Sequence, residues 1–285
     1  MTDQYTFRNP VTAYEQISPP KQHQPEPGLD AELTPKADLG EESYRGGTGR
    51  LEGRKAIVTG ADSGIGAATA IAFAREGADV VLSYLPEEEE DAARIAGIIE
   101  AAGRKAVKVP GDLKDSATCQ EVVDTAIAVL GGVDILVNNA GKQVAQEDLA
   151  DITDEQFDHT QKTNVYAMFW LTKAALPHLP PAGSTIINTT SIQAYNPSPT
   201  LVDYATTKAS INNFTKGLAQ QLASKGIRSM PWHPAPIWTP PASQQRPAQG
   251  SATGVRAIHS PWAAPASPQN WLPRMCFLPH RSPAT

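Results

Sequence analysis

Tyr204 and Lys208 stand four residues apart in the run Y-A-T-T-K, inside a helix-forming stretch over residues 203–225. At that spacing the two side chains share one helix face. A tyrosine, titrating near pH ~10, is a poor acid–base group at neutral pH unless a nearby cation favours its phenolate. Lys208 can supply that charge. A helical tyrosine on its own is usually a packing residue, so the pair gains meaning only from its company. That company includes Ser191, which follows the run TIINTT, and N-N-A-G at residues 138–141, which follows DILV. It also includes the stretch KAIVTGADSGIG at residues 55–66.

These groups need elements to hold them. Residues 56–58 read as a buried strand, because parallel strands covered by helices on both faces are unbroken apolar runs. Gly60, Gly64 and Gly66 then form a turn that lets backbone approach a pyrophosphate and lets a helix pack close. The helix from about Ile65 aims free N–H groups and its positive end at the phosphates. Further strands are expected at 79–84, 105–110, 134–138 and 185–190. Helices are expected at 87–102, 116–130, 153–178 and 203–225. Strands separated by helices of this length need crossover connections, so the fold class is α/β with a doubly wound parallel sheet. Ligands then bind beyond the carboxyl ends of the strands, where the glycine turn, Asp112, residues 138–141 and Ser191 all fall. The acidic run at 87–91 reads as a solvated helix start, favoured by the dipole.

Composition narrows the partners. The 285 residues suit one large α/β domain with an extension, and 40% hydrophobic content supports a sizeable core. A net charge of -6 offers no basic surface to nucleic acid, and no apolar run approaches the ~18 residues of a membrane span. The polar N-terminus lacks a secretory apolar region, and Cys119 and Cys276 form neither a disulfide framework nor a metal motif. A cytoplasmic setting is expected. Residues 1–50 are polar and proline-bearing, without a sustained period. They read either as a disordered tail or as an extended arm lying on the domain or on a neighbouring subunit.

The ordered set TGxxxGxG, NNAG, a strand-end serine and YxxxK resembles the short-chain dehydrogenase/reductases over residues 49–228. GEESYRG, SYLPEEEEDA, SIQAY and YATTK are similar to the bacterial subgroup with N-terminal extensions, the general stress and glucose-dehydrogenase-like oxidoreductases. The resemblance implies a Rossmann-like single domain over residues 51–228 and hydride transfer between NAD or NADP and an alcohol or carbonyl. It makes Tyr204 the general acid or base, Ser191 the partner of the reacting oxygen, and Lys208 the holder of the nicotinamide ribose. Asn164 joins a water-linked proton relay. The cofactor lies against Gly60, Ser63, Gly64, Ile65, Gly66, Tyr84, Asp112, Asn139, Ala140 and Gly141, with Ile237 and Thr239 at the nicotinamide amide. A homotetramer is implied, with residues 164–178 and 203–225 forming one two-fold interface. Trp170 and Tyr166 read as packing or interface residues. Ser83 and Tyr84 end the second strand, where an acidic residue would bind the ribose 2′-OH of NAD. That absence tilts the expectation to NADP, although Ser63 brings no positive charge.

After Arg228 the resemblance breaks. The family has a run like RVNAVAPGPIWTP, and one base lost then restored turns VNAVAPG into SMPWHPA before Ile237-Trp238-Thr239. Likewise PMGRPGQPAELAP, read out of register, gives residues 261–273. Residues 229–235 and those after about 240 are therefore expected to be out-of-frame translation within an irregular Pro-, Ala- and Ser-rich segment, 229–285, holding no buried strand. The fifth strand or its neighbour would then keep an open edge.

Overall fold

The computed structural model describes residue 24, residues 27–44 and 46–234, and residues 237 and 239. Six parallel strands form one sheet in the order β3-β2-β1-β4-β5-β6. They are β1 (Lys55–Thr59), β2 (Asp79–Tyr84), β3 (Ala106–Pro110), β4 (Ile135–Asn138), β5 (Thr185–Thr189) and β6 (Arg228–Trp232). The helices between them are α1 (Gly64–Arg75), α2 (Glu89–Ala101), α3 (Ser116–Thr125), α4 (Asp154–Gln161), α5 (Ala167–Ala175) and α6 (Val202–Leu222). Chain order reverses between β1 and β4, which opens a crevice at their carboxyl ends. The doubly wound α/β sheet is thus the one expected.

Side chains of β1 alternate between two cores, as the two-residue period of a strand requires. Ala56 and Val58 join α1, α2 and β2 on one face, together with Leu39, Tyr44 and Leu51. Ile57 joins α3, α5 and α6 on the other. Ile57 is completely buried, and full burial of such a side chain is worth about 1.5–3 kcal/mol. Asp115 caps α3 by accepting from the Ala117 N–H at 3.0 Å. Thr153 caps α4 by accepting from the Gln156 N–H at 3.1 Å. Between α4 and α5 the residues Lys162–Tyr166 widen into a π-type turn, so the Ala167 N–H reaches back to the Lys162 carbonyl. Such turns recur at functional sites.

One expectation is corrected here. Residues 229–232 do make a strand: β6 pairs with β5 from Thr185↔Arg228 to Thr189↔Trp232. Parallel pairing is made by backbone groups, and Pro231 is tolerated because β6 is an edge strand among the described residues. Trp232 and Ile237 join the core on the α1 face. The fifth strand therefore keeps no open edge, and its neighbour β6 is the edge among the described residues. For the N-terminal arm, the described part fits the second of its two readings. From residue 27 to 50 its described part lies on its own domain, with Leu33, Leu39 and Tyr44 buried. Residues 1–23 and 240–285, and Trp238, lie outside the described residues.

Candidate active site

The carboxyl ends of β1, β4 and β5 are stitched together by short polar side chains. Thr59 Oγ1 accepts from the N–H groups of Asn139 (2.9 Å) and Ala140 (3.0 Å) and donates to the Val137 carbonyl at 3.3 Å. Asn139 Nδ2 donates to the Thr59 carbonyl at 3.1 Å, and Thr189 Oγ1 donates to Asn139 Oδ1 at 3.3 Å. The glycines have steric reasons to be glycines. A Cβ on Gly66 would lie 1.8 Å from the Gly60 carbonyl oxygen, and one on Gly60 would lie 3.2 Å from Ala140 Cα. Gly64, at φ +49°, would put its Cβ 2.7 Å from Thr239 Cγ2. Thr239 thus lies against the glycine turn, while Ile237 is buried in the core.

Ser191, Tyr204 and Lys208 come together. Ser191 leaves β5 and caps a short 3-10 turn, its Oγ accepting from the Gln193 N–H at 3.2 Å. Its hydroxyl also lies near enough to the Tyr204 phenol to favour the phenolate. Lys208 is almost fully buried, donates to the Thr189 carbonyl at 2.9 Å, and places Nζ 5.3 Å from the Tyr204 ring centroid. The phenol does not titrate low, however. Burial pushes it up to about 12, with the Ser191 hydroxyl pulling the other way. Burial likewise lowers Lys208 to about 8.

Asn164 sits in the π-type turn with its amide fully engaged. Nδ2 donates to the Lys142 carbonyl (2.9 Å) and to Thr207 Oγ1 (3.0 Å), while Oδ1 accepts from the Lys142 N–H (2.7 Å). It is a brace between the loop after β4 and α6. A Cβ on Gly141 would lie 3.5 Å from both Asn164 Oδ1 and Lys208 Nζ, so the loop passes close over both groups. A cavity of about 10 Å³, lined in part by Thr59, Asn138, Asn164 and Thr189, lies beneath.

Sequence reasoning missed several supports. Asp203, next to Tyr204, is buried and accepts from the Tyr204 N–H (2.7 Å), Thr160 Oγ1 (3.0 Å) and Gln156 Nε2 (3.0 Å), which fixes the start of α6 on α4. Its place in the first turn of a helix was the available signal. Behind the site Asn138 Nδ2 donates to Asn188 Oδ1 (2.8 Å) and Thr172 Oγ1 (3.2 Å), and Asn188 donates to Thr215 (2.9 Å). Only the fold brings those four together.

At the adenosine side, Tyr84 is buried and its hydroxyl donates to Glu89. Asp112 stands at the end of β3, 3.1 Å from Lys114 Nζ. Ser63 caps α1 without a side-chain bond to its backbone, and hydrogen-bonds the Asp62 side chain instead. The acidic run is not uniformly solvated, contrary to expectation. Asp91 is buried and receives the N–H groups of Asp30 and Ala31, and Glu88 shares a hydrogen bond with Asp62. Asp62 Oδ2 and Ser83 Oγ are buried with no geometrically satisfied partner.

A parallel sheet with a glycine turn at its switch point, and a serine, tyrosine and lysine gathered beside it, defines a dinucleotide-type α/β protein. The profile of the short chain dehydrogenase family matches residues 54–250, past the point at which the resemblance was expected to end. The chain belongs to that family. The oxidoreductase YghA of Escherichia coli is 57% identical over 233 residues, covering 82% of this chain and 79% of that protein. The NADPH-dependent aldehyde reductase 1 of Arabidopsis thaliana is 38% identical over 78% of this chain and 79% of its own length. Among solved structures, a Burkholderia cenocepacia short chain dehydrogenase in complex with NADP aligns at a TM-score of 0.72 with 34% identity, covering 80% of this chain and 91% of that one. A Brucella melitensis 3-ketoacyl-(acyl-carrier-protein) reductase complexed with NADH aligns at 0.72 with 32% identity, over 82% and 92%.

Proposed function

We propose that this protein is an NAD(P)-dependent oxidoreductase that interconverts a carbonyl and an alcohol, with Tyr204 as the general acid or base. The observation that carries the reading is the meeting of Ser191, Tyr204 and Lys208 at the carboxyl ends of the strands of the same sheet that carries the glycine turn. The residues present fit a dinucleotide. The turn from Gly60 to Gly66, without side chains at Gly60, Gly64 and Gly66, would bring backbone together with Ser63 and Ile65 to a pyrophosphate at the start of α1, and the buried Ser83 hydroxyl lies near the end of β2. Tyr84, Asp112 and Asn139-Ala140-Gly141 would flank the adenosine and nicotinamide portions, with Ile237 and Thr239 at the far side. When bound, the nicotinamide supplies or receives the hydride.

The chain's own residues handle the proton. A phenol pushed up to about 12 is protonated at neutral pH and ready to donate to a carbonyl oxygen, which is the direction of reduction. The Ser191 hydroxyl shares that oxygen and stabilises its developing charge. Lys208, held by Thr189, keeps a cation near the ring as the phenolate forms. Asn164 braces the loop beside Lys208, and the cavity beneath it has the size for one relay water. The named relatives support aldehydes as first substrates to try. Neither Ser83 nor Tyr84 bars a 2′-phosphate, so NADP is favoured and NAD allowed. The exposed Tyr166 and Phe169 on the α5 side suit the expected two-fold contact of a tetramer, which sedimentation would test.

The decisive experiment compares wild type with Tyr204→Phe on a panel of aldehydes. Turnover should fall about 10²–10⁴-fold while nucleotide affinity changes little. Undiminished turnover would overturn the assignment of Tyr204. We also propose that residues beyond about 240 are out-of-frame translation. Resequencing of the locus together with the intact protein mass decides it, and an uninterrupted frame encoding this chain would refute it.

A further inference from the structure

Four carboxyl groups from three separate parts of the chain meet beside the glycine turn. Asp30 comes from the N-terminal arm, Asp62 from the turn itself, and Glu88 and Asp91 from the start of α2. Asp30 and Asp62 are 5% and 2% exposed. The Asp30 N–H donates to Asp91 Oδ2 at 2.7 Å, and its carboxylate accepts from Arg94 at 3.2 Å. The Asp30 carboxyl also faces the Gly64 N–H, at the first residue of α1. Glu88 accepts from the Leu85 N–H at 3.0 Å and meets Asp62 side chain to side chain. The arm, the turn and α2 are thus joined at one point.

The charges facing this point do not balance. From the arm come Asp30, Glu32 and Glu41; from the turn, Asp62; from the α2 side, Glu88, Glu90, Asp91 and Arg94; and Tyr84 faces Asp62 from β2. Glu89 and Lys108 pair with each other at the rim. Arg94 is the one cation bonded to the cluster among the described residues, and it already serves Asp30 and Glu41. Asp30 Oδ1 and Asp62 Oδ2 are buried acceptors with no donor. Two facing carboxyls can bond only if one keeps its proton. A cation is the other remedy for such oxygens, but no three of these groups converge closely enough to hold a metal ion among the described residues.

We propose that Asp30, Asp62 and Glu88 are positioning residues of the cofactor site: a proton shared by Asp62 and Glu88 holds the glycine turn to the start of α2, and Asp30, bonded to Asp91, holds the N-terminal arm against that junction. The inference rests on the cofactor reading above for its functional consequence, not for its structural one. Glu88 and Asp62 hold one proton between them, and the arm's Asp30 faces the Gly64 end of the turn. Loss of that proton sets the buried Asp62 carboxylate against the half-buried Glu88 carboxylate, parts α2 and the arm bonded to it from the turn, and leaves the turn less ordered for a pyrophosphate. The arm then belongs to the nucleotide site although it touches no reacting group.

Two measurements on the full chain test this. Hydrogen exchange, corrected for intrinsic rate, is followed without nucleotide at residues 27–34 and 60–66 from about pH 6 to about pH 9, spanning the value of about 8 to which burial and Asp62 raise Glu88. Protection should fall about tenfold across that range in wild type, the effect of roughly one pKa unit. It should stay level in Glu88→Gln, which keeps the donor without the charge, and in Asp62→Asn. Calorimetric NADP and NAD affinities should weaken over the same range in wild type only. Level protection in the wild type would sink the proposal, as would a pH dependence unchanged in both variants. If the exchange transition appears and neither nucleotide binds at any pH, the clamp stands and the cofactor reading falls.

Discussion

Helix α1 is tied to the same N-terminal arm at both ends, and the two ties are built from carboxyl groups shifted in opposite directions. At its carboxyl end Glu76 is fully buried and ionised. It accepts from the Tyr44 hydroxyl, the Arg50 guanidinium, the Arg50 N–H (3.2 Å) and the Thr48 N–H (3.0 Å). Those donors overcome the desolvation and hold its carboxyl down to about 2. At the other end Asp30, Asp62 and Glu88 have burial without enough donors, and their values rise, Asp30 to about 6. The lesson is that burial alone does not set the charge of a carboxylate; the count of donors aimed at it does. The first tie is structural and permanent, whereas the second is adjustable and lies beside the phosphate-binding turn.

The sharpest way to break the comparison is to remove the permanent tie. Glu76→Ala leaves the Arg50 cation without its buried partner, and stability should fall by about 3–5 kcal/mol, measured by urea unfolding. A loss under about 1 kcal/mol would mean that the two ends are energetically alike. Next in size is Gly47→Ala, whose Cβ would lie 2.2 Å from the Glu76 carboxyl carbon. With the arm forced off Glu76, a cost of about 1–3 kcal/mol is expected, and the double variant with Glu76→Ala should cost less than the sum because the two changes share one contact.

Acid should separate the two ends further. Glu76 is lowered in the folded state, so its contribution is present above the ordinary carboxylate range and is lost as pH falls through about 2. Asp30 is raised, so its contribution is complete below the ordinary value and is lost as pH climbs through about 6. Unfolding measured from about pH 2 to about pH 5 should therefore be less pH-dependent in Glu76→Gln than in wild type. Equal slopes would show that Glu76 is not the ionised anchor.

Much of the reacting centre was legible in sequence because its parts carry local signatures. Glycines at fixed offsets make the turn, and a four-residue spacing sets Tyr204 and Lys208 on one helix face. Strand and helix periods likewise gave the sheet. What was hidden is long-range. Asp30, Asp62 and Glu88 are dispersed along the chain, and the run at 87–91 has the composition of a solvated helix start whichever residues point inward. Glu76 reads as an ordinary helix-end glutamate until Gly47 is seen to let the arm descend on it. The strand β6 was missed for a different reason. Its composition is poor for a strand, yet backbone pairing with β5 and the burial of Trp232 need no particular side chain at Ser229 or Pro231.

The smallest expected effect concerns the rim of the adjustable tie. Arg94 joins Glu41 of the arm to Asp30, but its side chain and that of Glu41 are 36% and 38% exposed. Water screens such a pair, and an exposed ion pair contributes about 0.2–1 kcal/mol. Glu41→Ala should therefore lower stability by no more than that, and added salt should erase most of the difference. The Arg94–Asp30 contact beneath it is shielded from water on the Asp30 side and should survive the change. A large loss in Glu41→Ala, persistent in high salt, would show that the arm is held at this end by its surface charges and not by the buried carboxyl groups under them.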